Sequence, residues 1–508
     1  MVAATLSSRT NDTGRRLTTS HHDSPTRSAF DEARDQTKRI SAQMVSLQEE
    51  LDWLVYRSYG LLKDVNAEFA PAGDAPAINL GERAFEIVMA RKMEAGKLQT
   101  EWFRRHGSTP ITAIPAHWPA AYKKVIEHRI ALIEAGAKQN KDIALIEQPE
   151  YKRRWNTETW DEMEERALRE WLLDRLEWGA KTPSAETTNG SRSSVWDERD
   201  PRLMTASRLA DKMRGDEAFR SVAALYAKSH AAPDDLTALV QQLVEVESVP
   251  FLPVLRYKET GLRNRQIWER TWELQREEDR LEALREKARA KMKAASEAML
   301  AKLPKKEADE ARASDKILTA LLKKDAAWTA AEEELDAVPA NPEIEVPPRY
   351  ASKDFQNANY WRLRGKLDVA KERFVSLPHC GPDGDQTTLI TWAGFDYRQQ
   401  AQAITTYYTD KKANAGWDKS RFVPLLAGLV ELLPWLKQWH NQPDAEGHNW
   451  AEVIEGFIAD EARELGLMAD EIKAWTPPAA VRRGRKPGGR KKKAAAEATL
   501  LDTDEGND

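Results

Sequence analysis

The sequence predicts a mainly α-helical protein of several domains that contains one small β-containing module. The chain has 508 residues, enough for two to four domains. Hydrophobic residues make up 41% and charged residues 31%, which is typical of helix-rich proteins with real cores and exposed charged helices. A Gly381-Pro-Asp-Gly turn followed by the β-branched run from Thr388 to Phe395 predicts a small sheet late in the chain.

The composition excludes several classes of protein. The single cysteine, Cys380, excludes an internal disulfide framework and a cysteine-based structural zinc site. The most apolar run, Pro424 to Leu436, is interrupted by Glu431 and Pro434, so we expect no membrane span. The N-terminus has no apolar core for a signal peptide. We therefore expect a cytoplasmic protein without membrane contacts.

One long helix is predicted near the N-terminus. Residues 1–27 are rich in Ser, Thr and Arg, and we expect them to be disordered. Ser28 offers a helix cap, and Gly60 offers a stop. Between them, apolar or small residues follow steps of three and four, the spacing of a coiled-coil seam. These residues are Phe30, Ala33, Thr37, Ile40, Met44, Leu47, Leu51 and Leu54. The pattern predicts a connector helix over 28–62 and an interface along it.

The remaining chain divides by composition into alternating helical segments and linkers. Residues 262–337 are dominated by Ala, Glu, Lys, Arg and Leu, which predicts two long antiparallel helices separated at Pro304. The predicted division is 63–178 helical domain, 179–200 linker, 201–260 helical domain, 261–338 charged helical arm, 339–475 C-terminal α+β domain and 476–508 disordered basic tail.

The stretch from Tyr360 to Pro378 alternates cations with apolar and aromatic residues. That alternation predicts a strand with one basic face, on which Arg362, Arg364 and Lys366 would contact a DNA backbone. Gly365 marks a turn or bulge, where a backbone or a phosphate could come close. The alternative is an ordinary half-buried strand with solvated charges.

Two further clusters combine cations with aromatics. In the run from Tyr151 to Trp155, the residues Lys152, Arg153 and Arg154 are candidate phosphate contacts, and the alternative is a helix start with solvated charges. The third cluster is the run from Arg256 to Arg265.

The tail is the most basic part of the chain. Residues 482–493 carry eight positive charges, and removing them from the net charge of −5 leaves −13 for the rest. Arg483, Gly484 and Arg485 resemble the core of an AT-hook, in which glycine lets the backbone lie in the minor groove between two arginines. Lys486 separates this core from Pro487. The alternative is a basic tail with general affinity for polyanions.

Long collinear segments of the sequence resemble a known family. They are Tyr360-Trp-Arg-x-Arg-Gly-Lys-Leu-Asp-Val-x-Lys-Glu-Arg-Phe374, Leu47–Tyr56, residues 80–118, Pro149–Trp155 and Thr391–Asp396. Together, residues 40–475 resemble the C-terminal region of the PglX family. These are the adenine-specific DNA methyltransferases of phage growth limitation and type 2 bacteriophage-exclusion (BREX) systems. The resemblance implies a role in phage defence.

The motifs of methyl transfer are absent from this sequence. An adenine-N6 methyltransferase needs a glycine-rich donor loop and an Asn/Asp-Pro-Pro-Tyr/Phe loop for the flipped base. The nearest string, Val346-Pro-Pro-Arg-Tyr350, lacks the amide or carboxylate. We therefore expect no catalytic residue and no metal site, and we expect S-adenosylmethionine only on an associated catalytic domain.

Three functions follow as hypotheses. The first is a non-catalytic part of a PglX-like methyltransferase that binds double-stranded DNA, with a catalytic domain or other phage-defence proteins as partners. The second is a structural adaptor that assembles a defence complex through its helical arm and does not use its folded body on DNA. The third, a nuclease built on Asp383 with Asp410, Lys411 and Lys412, is disfavoured because these residue types are common.

Overall fold

α-Helices make up most of the described protein and are accompanied by one four-stranded sheet, which confirms the predicted fold class. The computed structural model describes residues 25–62, 69, 74–153, 155, 158–179, 195–365 and 372–478. Most of the two predicted disordered segments and most of the predicted linker lie outside these ranges. Within the described ranges, no helix is both long and apolar enough to cross a membrane.

The predicted N-terminal helix is present as α1 (Arg27–Ser58). Its cap is Thr26, whose hydroxyl accepts from the backbone N–H of Ala29 at 3.3 Å, so the prediction that Ser28 caps the helix was wrong. Ser28 lies inside the first turn. The chain leaves the helix at Gly60, which has a φ of 69° and thus the left-handed conformation that favours glycine.

The first core joins the second half of α1 to four helices. They are α2 (Ala84–Glu94), α3 (Trp102–Arg105), α4 (Ala120–Ala135) and α5 (Lys141–Ile146). Trp53 of α1 is buried in this core with Phe85 and Ile126. Pro119 precedes α4 and Gly136 follows it, and both are residues that commonly bound a helix.

The second core brings together segments that the sequence separates. It contains α6 (Trp160–Trp178), α7 (Ala206–Met213), α8 (Glu217–His230) and α9 (Leu236–Glu247). Although α6 lies in the segment predicted as the preceding domain, its leucines pack in this second core. Trp196, inside the predicted linker, is buried there too. The cores therefore do not follow the predicted boundaries at these two places.

The sheet has the order β1-β4-β3-β2. Its strands are β1 (Met204–Thr205), β2 (Ser248–Pro250), β3 (Phe374–Ser376) and β4 (Leu389–Trp392). β2 and β3 are parallel, with Val249 opposite Val375, and the other two pairs are antiparallel. The sheet predicted after the Gly381 turn is thus present, with β3 and β4 as an antiparallel pair.

The charged arm consists of one long helix and a broken return. The short α10 (Pro253–Arg256) precedes α11 (Glu259–Lys302). The return contains α12 (Lys305–Ala313), α13 (Asp315–Leu322) and α14 (Ala326–Asp336). The prediction of a single return helix was therefore wrong. One reason is Asp325, whose carboxylate accepts from Trp328 N at 3.0 Å and starts a new helix.

The helix α15 (Ala358–Arg364) precedes β3, and four helices form the C-terminal part of the described chain. The four are α16 (Tyr397–Asn414), α17 (Val423–Trp439), α18 (Trp450–Leu465) and α19 (Ala469–Lys473). Their leucines and isoleucines form a third core, which includes Ile404, Leu425 and Ile454. Pro434 lies inside α17, so the predicted interruption of that apolar run does not end the helix.

Candidate nucleic-acid interface

The segment predicted as a basic strand begins as α15 instead. Asn357 caps this helix, because its side-chain oxygen accepts from Asn359 N at 2.8 Å. The helix contains only four of the alternating residues, Trp361 to Arg364. So short a pattern does not distinguish a strand from a helix, and the cap at Asn357 favours the helix. A Cβ on Gly365 would clash with the carbonyl oxygen and the ring of Trp361, so the close approach predicted at this glycine is made by Trp361.

Arg362 is the most open of the predicted cations on α15. Its side chain is 57% exposed, and its Nε donates to Oδ1 of Asn359 at 3.0 Å. Nη2 lies 3.6 Å from Oε1 of Glu247, a buried carboxylate that also accepts from Arg169. Glu247 therefore lies beneath Arg362 and interacts with two arginines, while the Arg362 guanidinium remains accessible to solvent.

Arg364 faces a more crowded environment. Its Nη1 donates to Oε1 of the buried Glu372, and its side chain is 39% exposed. Arg256 is buried nearby, lies over the ring of Tyr257 at 5.2 Å and donates to the carbonyl of Phe251 at 2.9 Å. Burial lowers the pKa of Arg256 to about 10, and the charge of Arg364 adds to this effect.

Arg256 lacks a carboxylate partner within ion-pair distance among the described residues. Its Nε also has no acceptor among them. Sequence reasoning noted a basic cluster beginning at Arg256 but could not place it behind α15, because about 100 residues separate the two in the chain. It also missed Glu247 and Glu372, since a single buried acid leaves no pattern in a sequence.

Lys152, the first cation of the second cluster, is buried. Its Nζ donates to Oδ2 of Asp52 at 3.1 Å and to the hydroxyl of Tyr56 at 2.9 Å, and it also donates to Glu147. Burial favours a lower pKa, but Glu147, Glu49 and Asp52 outweigh it and raise the pKa of Lys152. The lysine is thus a buried cation whose hydrogen bonds link α1 to the segment after α5. It presents no donor to a phosphate and is not part of the proposed interface.

Arg153, its neighbour, points outward. It is exposed, and its guanidinium carbon lies 4.6 Å from the centroid of the Trp155 ring. It forms no ion pair with a carboxylate in the described part of the chain. Five predicted contacts, Arg154, Lys366, Arg483, Gly484 and Arg485, lie outside the described residues.

Two residues of the disfavoured nuclease hypothesis pair with residues outside the proposed site. Asp383 pairs with Arg421 at 2.7 Å, and Lys412 pairs with Glu461 at 2.7 Å. One group of potential metal ligands, Asp444 with Glu446 and His448, lies in the loop before α18. There the carboxylate of Asp444 already accepts from two backbone N–H groups and from the indole of Trp450.

Comparison with known proteins confirms the resemblance seen in the sequence. The chain is 41% identical over 458 residues to the adenine-specific methyltransferase PglX of Streptomyces coelicolor (strain ATCC BAA-471 / A3(2) / M145). The match covers 89% of this chain and 32% of that protein, so the chain spans about a third of its relative, consistent with a C-terminal region. No solved structure matches the chain. A family model described as "Domain of unknown function (DUF7008)" matches residues 44–487. Because that match covers most of the sequence, the chain belongs to the DUF7008 family.

Proposed function

We propose that this chain is a non-catalytic, DNA-binding part of a PglX-like adenine-specific DNA methyltransferase that acts in phage defence. The observation that carries the proposal is the 41% identity to PglX over 89% of the chain. In this proposal the chain contributes target recognition. S-adenosylmethionine and the transfer chemistry belong to an associated catalytic domain, and the system is of the phage growth limitation or BREX kind.

The absence of a catalytic role is proposed from the motifs. The sequence contains no Asn/Asp-Pro-Pro-Tyr/Phe loop to hold and stack an extruded adenine. Tyr350, the aromatic in the nearest string, is stacked on Tyr257 with ring centroids 5.3 Å apart. The ring of Tyr350 is therefore already stacked on another residue of this chain.

DNA binding is proposed from two kinds of cation. The exposed guanidinium groups of Arg362 and Arg153 are held at fixed places on the folded body, and donors of this kind suit phosphate oxygens. The basic tail around residues 482–493 supplies many more charges, and each phosphate that they neutralise releases counterions. We propose that the tail provides general affinity and that the body provides orientation.

The adaptor function is the second candidate, and the arm favours it. The helix α11 has 44 residues, which at about 1.5 Å per residue gives a length of roughly 66 Å. Leu284 on α11 and Ile317 on α13 are exposed along this arm. Exposed apolar residues on both limbs of this charged arm suit a protein partner.

Fluorescence anisotropy on duplex DNA of mixed sequence tests the proposal against the adaptor alternative. The full chain should bind, and a chain truncated after residue 478 should bind more weakly, with a smaller dependence on salt. If the truncated chain has no measurable affinity in low salt, the body is not a DNA reader and the adaptor function is the better one.

A further inference from the structure

Two opposite sides of α1 are apolar. One side carries Trp53 and Tyr56, which are buried in the first core. The other carries Leu47, Leu51 and Leu54, which we name the outer seam; their exposed fractions are 48%, 45% and 57%. With about 3.6 residues per turn, steps of four and three keep the outer seam on one line of the helix. A solvated helix normally carries polar residues there, so the outer seam is an uncovered apolar surface.

Two carboxylates of α1 in the same stretch as the outer seam are directed toward the protein. Glu50 accepts from Nη2 of Arg129 at 2.7 Å, and Asp52 accepts from Lys152. Both carboxylates are thus neutralised by internal cations and would not be left unpaired by a protein bound to the outer seam. An apolar partner would therefore dock without desolvating a free carboxylate at these two positions.

The outer seam lies at the start of the region that the family model matches. The match to the family begins at residue 44, inside α1, so all three leucines belong to it. The relative extends well beyond this region, because the matched part is 32% of its length. The unmatched part is long enough to hold a separate catalytic domain, and the helix at the start of the family match offers such a domain an apolar surface.

We propose that the outer seam is the docking surface for a methyltransferase catalytic polypeptide, which covers Leu47, Leu51 and Leu54 with an apolar helix face or groove of its own. This inference rests on the proposed function and names the partner within it. The partner corresponds to the part of the Streptomyces coelicolor methyltransferase that this chain does not match.

Co-expression tests the docking. The full chain, carrying an affinity tag, is produced together with the unmatched part of that methyltransferase, and the co-purified polypeptide is quantified. The double variant Leu47→Asp/Leu51→Asp should retain at least tenfold less of it than the wild-type chain. Leu145→Asp/Val453→Asp is the matched control, because these two residues on α5 and α18 are similarly exposed and lie outside the outer seam and the arm, and it should retain the wild-type amount.

Three further measurements keep the outcome decisive. Thermal melting followed by circular dichroism should show that the double variant is folded, and Leu47→Ser/Leu51→Ser replaces it if it is not. Light scattering of the wild-type chain should show a monomer. If the wild-type chain is a dimer and the double variant is a monomer, the outer seam is an interface between two copies of this chain, and the proposal is overturned. Equal capture by variant and wild type, or no capture by the wild type, would overturn it too. Duplex DNA binding by the double variant should be unchanged, and its loss in every chain would refute DNA binding without affecting the capture result.

Discussion

Lys152 and Asp52 form an ion pair of 3.1 Å between positions that are 100 residues apart in the chain. The pair connects α1 to the segment that follows α5. Its lysine belongs to a basic, aromatic-rich run that suggests a phosphate contact when the sequence is considered alone. The structure gives the same residue an internal role, because an acidic residue of the distant α1 and one from just before it in the chain converge on it.

Lys152→Met should destabilise the protein by about 3–5 kcal/mol, since it leaves buried carboxylates without their cation. The free energy of unfolding, measured with urea, should fall by this amount. Arg153→Met is the matched control, because its side chain is exposed, and its effect should stay within about 0.5 kcal/mol. Similar stabilities for the two variants would contradict the internal role of Lys152.

Glu49 should make the stability depend on pH. Burial raises its pKa to about 7, and Glu147 adds to this rise, while Lys152 and Arg129 oppose it. The folded state therefore holds the proton more tightly than the unfolded state. The contribution of this group to stability falls as pH rises from about 4.5 to about 7, and it stays low above that range.

Glu49→Gln should remove this dependence while keeping an acceptor for the indole of Trp53, which now donates to Glu49 at 3.1 Å. Relative to the wild type, the variant should gain on the order of 3 kcal/mol between pH 5 and pH 8 in urea unfolding. Glu101→Gln, at an exposed position, should show no such gain. A difference between Glu49→Gln and wild type that stays constant with pH would refute the assignment.

How far the fold follows from the sequence depends on how local the signals are. The bounds of α4 follow from Pro119 and Gly136, which act within one turn of the helix. The interruption of the return limb at Asp325 is also local, but a single capping aspartate is a weak signal inside a helix-favouring composition. The placement of α6 in the second core depends on contacts with distant segments, and no local pattern encodes such contacts.

The candidate site too could be predicted from the sequence only in part. Composition does not predict that Arg153 is exposed and Lys152 buried, since the two are adjacent in one basic run. The difference arises from Asp52 and Glu147, whose approach depends on the packing of α1. The guanidinium of Arg362 remains accessible to solvent because its hydrogen bond to Asn359, one turn earlier, holds it along the helix surface.

Gly365→Ala should destabilise the end of α15. A Cβ would clash with the carbonyl oxygen of Trp361 and with its ring, so the chain or the indole must move. The expected cost is about 1–3 kcal/mol in the free energy of unfolding. Gly456→Ala inside α18 is the matched control, since nothing lies within 4 Å of its Cβ, and it should be neutral or stabilising by about 1 kcal/mol. Equal effects at both glycines would show that the contact with Trp361 does not matter.

The last prediction concerns the DNA contacts of the folded body. In the chain truncated after residue 478, the double variant Arg153→Ala/Arg362→Ala should weaken duplex binding at least tenfold. It should also reduce the slope of log affinity against log salt by up to about 2, since each phosphate contact contributes about 0.9. Adding Arg364→Ala should have a smaller effect, because that guanidinium is already paired with Glu372.

The control for these variants removes the same charge from other places on the surface. Arg104 and Arg463 are each 78% exposed and pair only with acids on their own helical turns among the described residues. Arg104→Ala/Arg463→Ala changes the net charge as much as the double variant does. If binding depends on net charge alone, both double variants will weaken it equally, and the body has no defined interface. If Arg153 and Arg362 form part of one, only their removal will lower the salt slope, because only they neutralise phosphates at fixed positions.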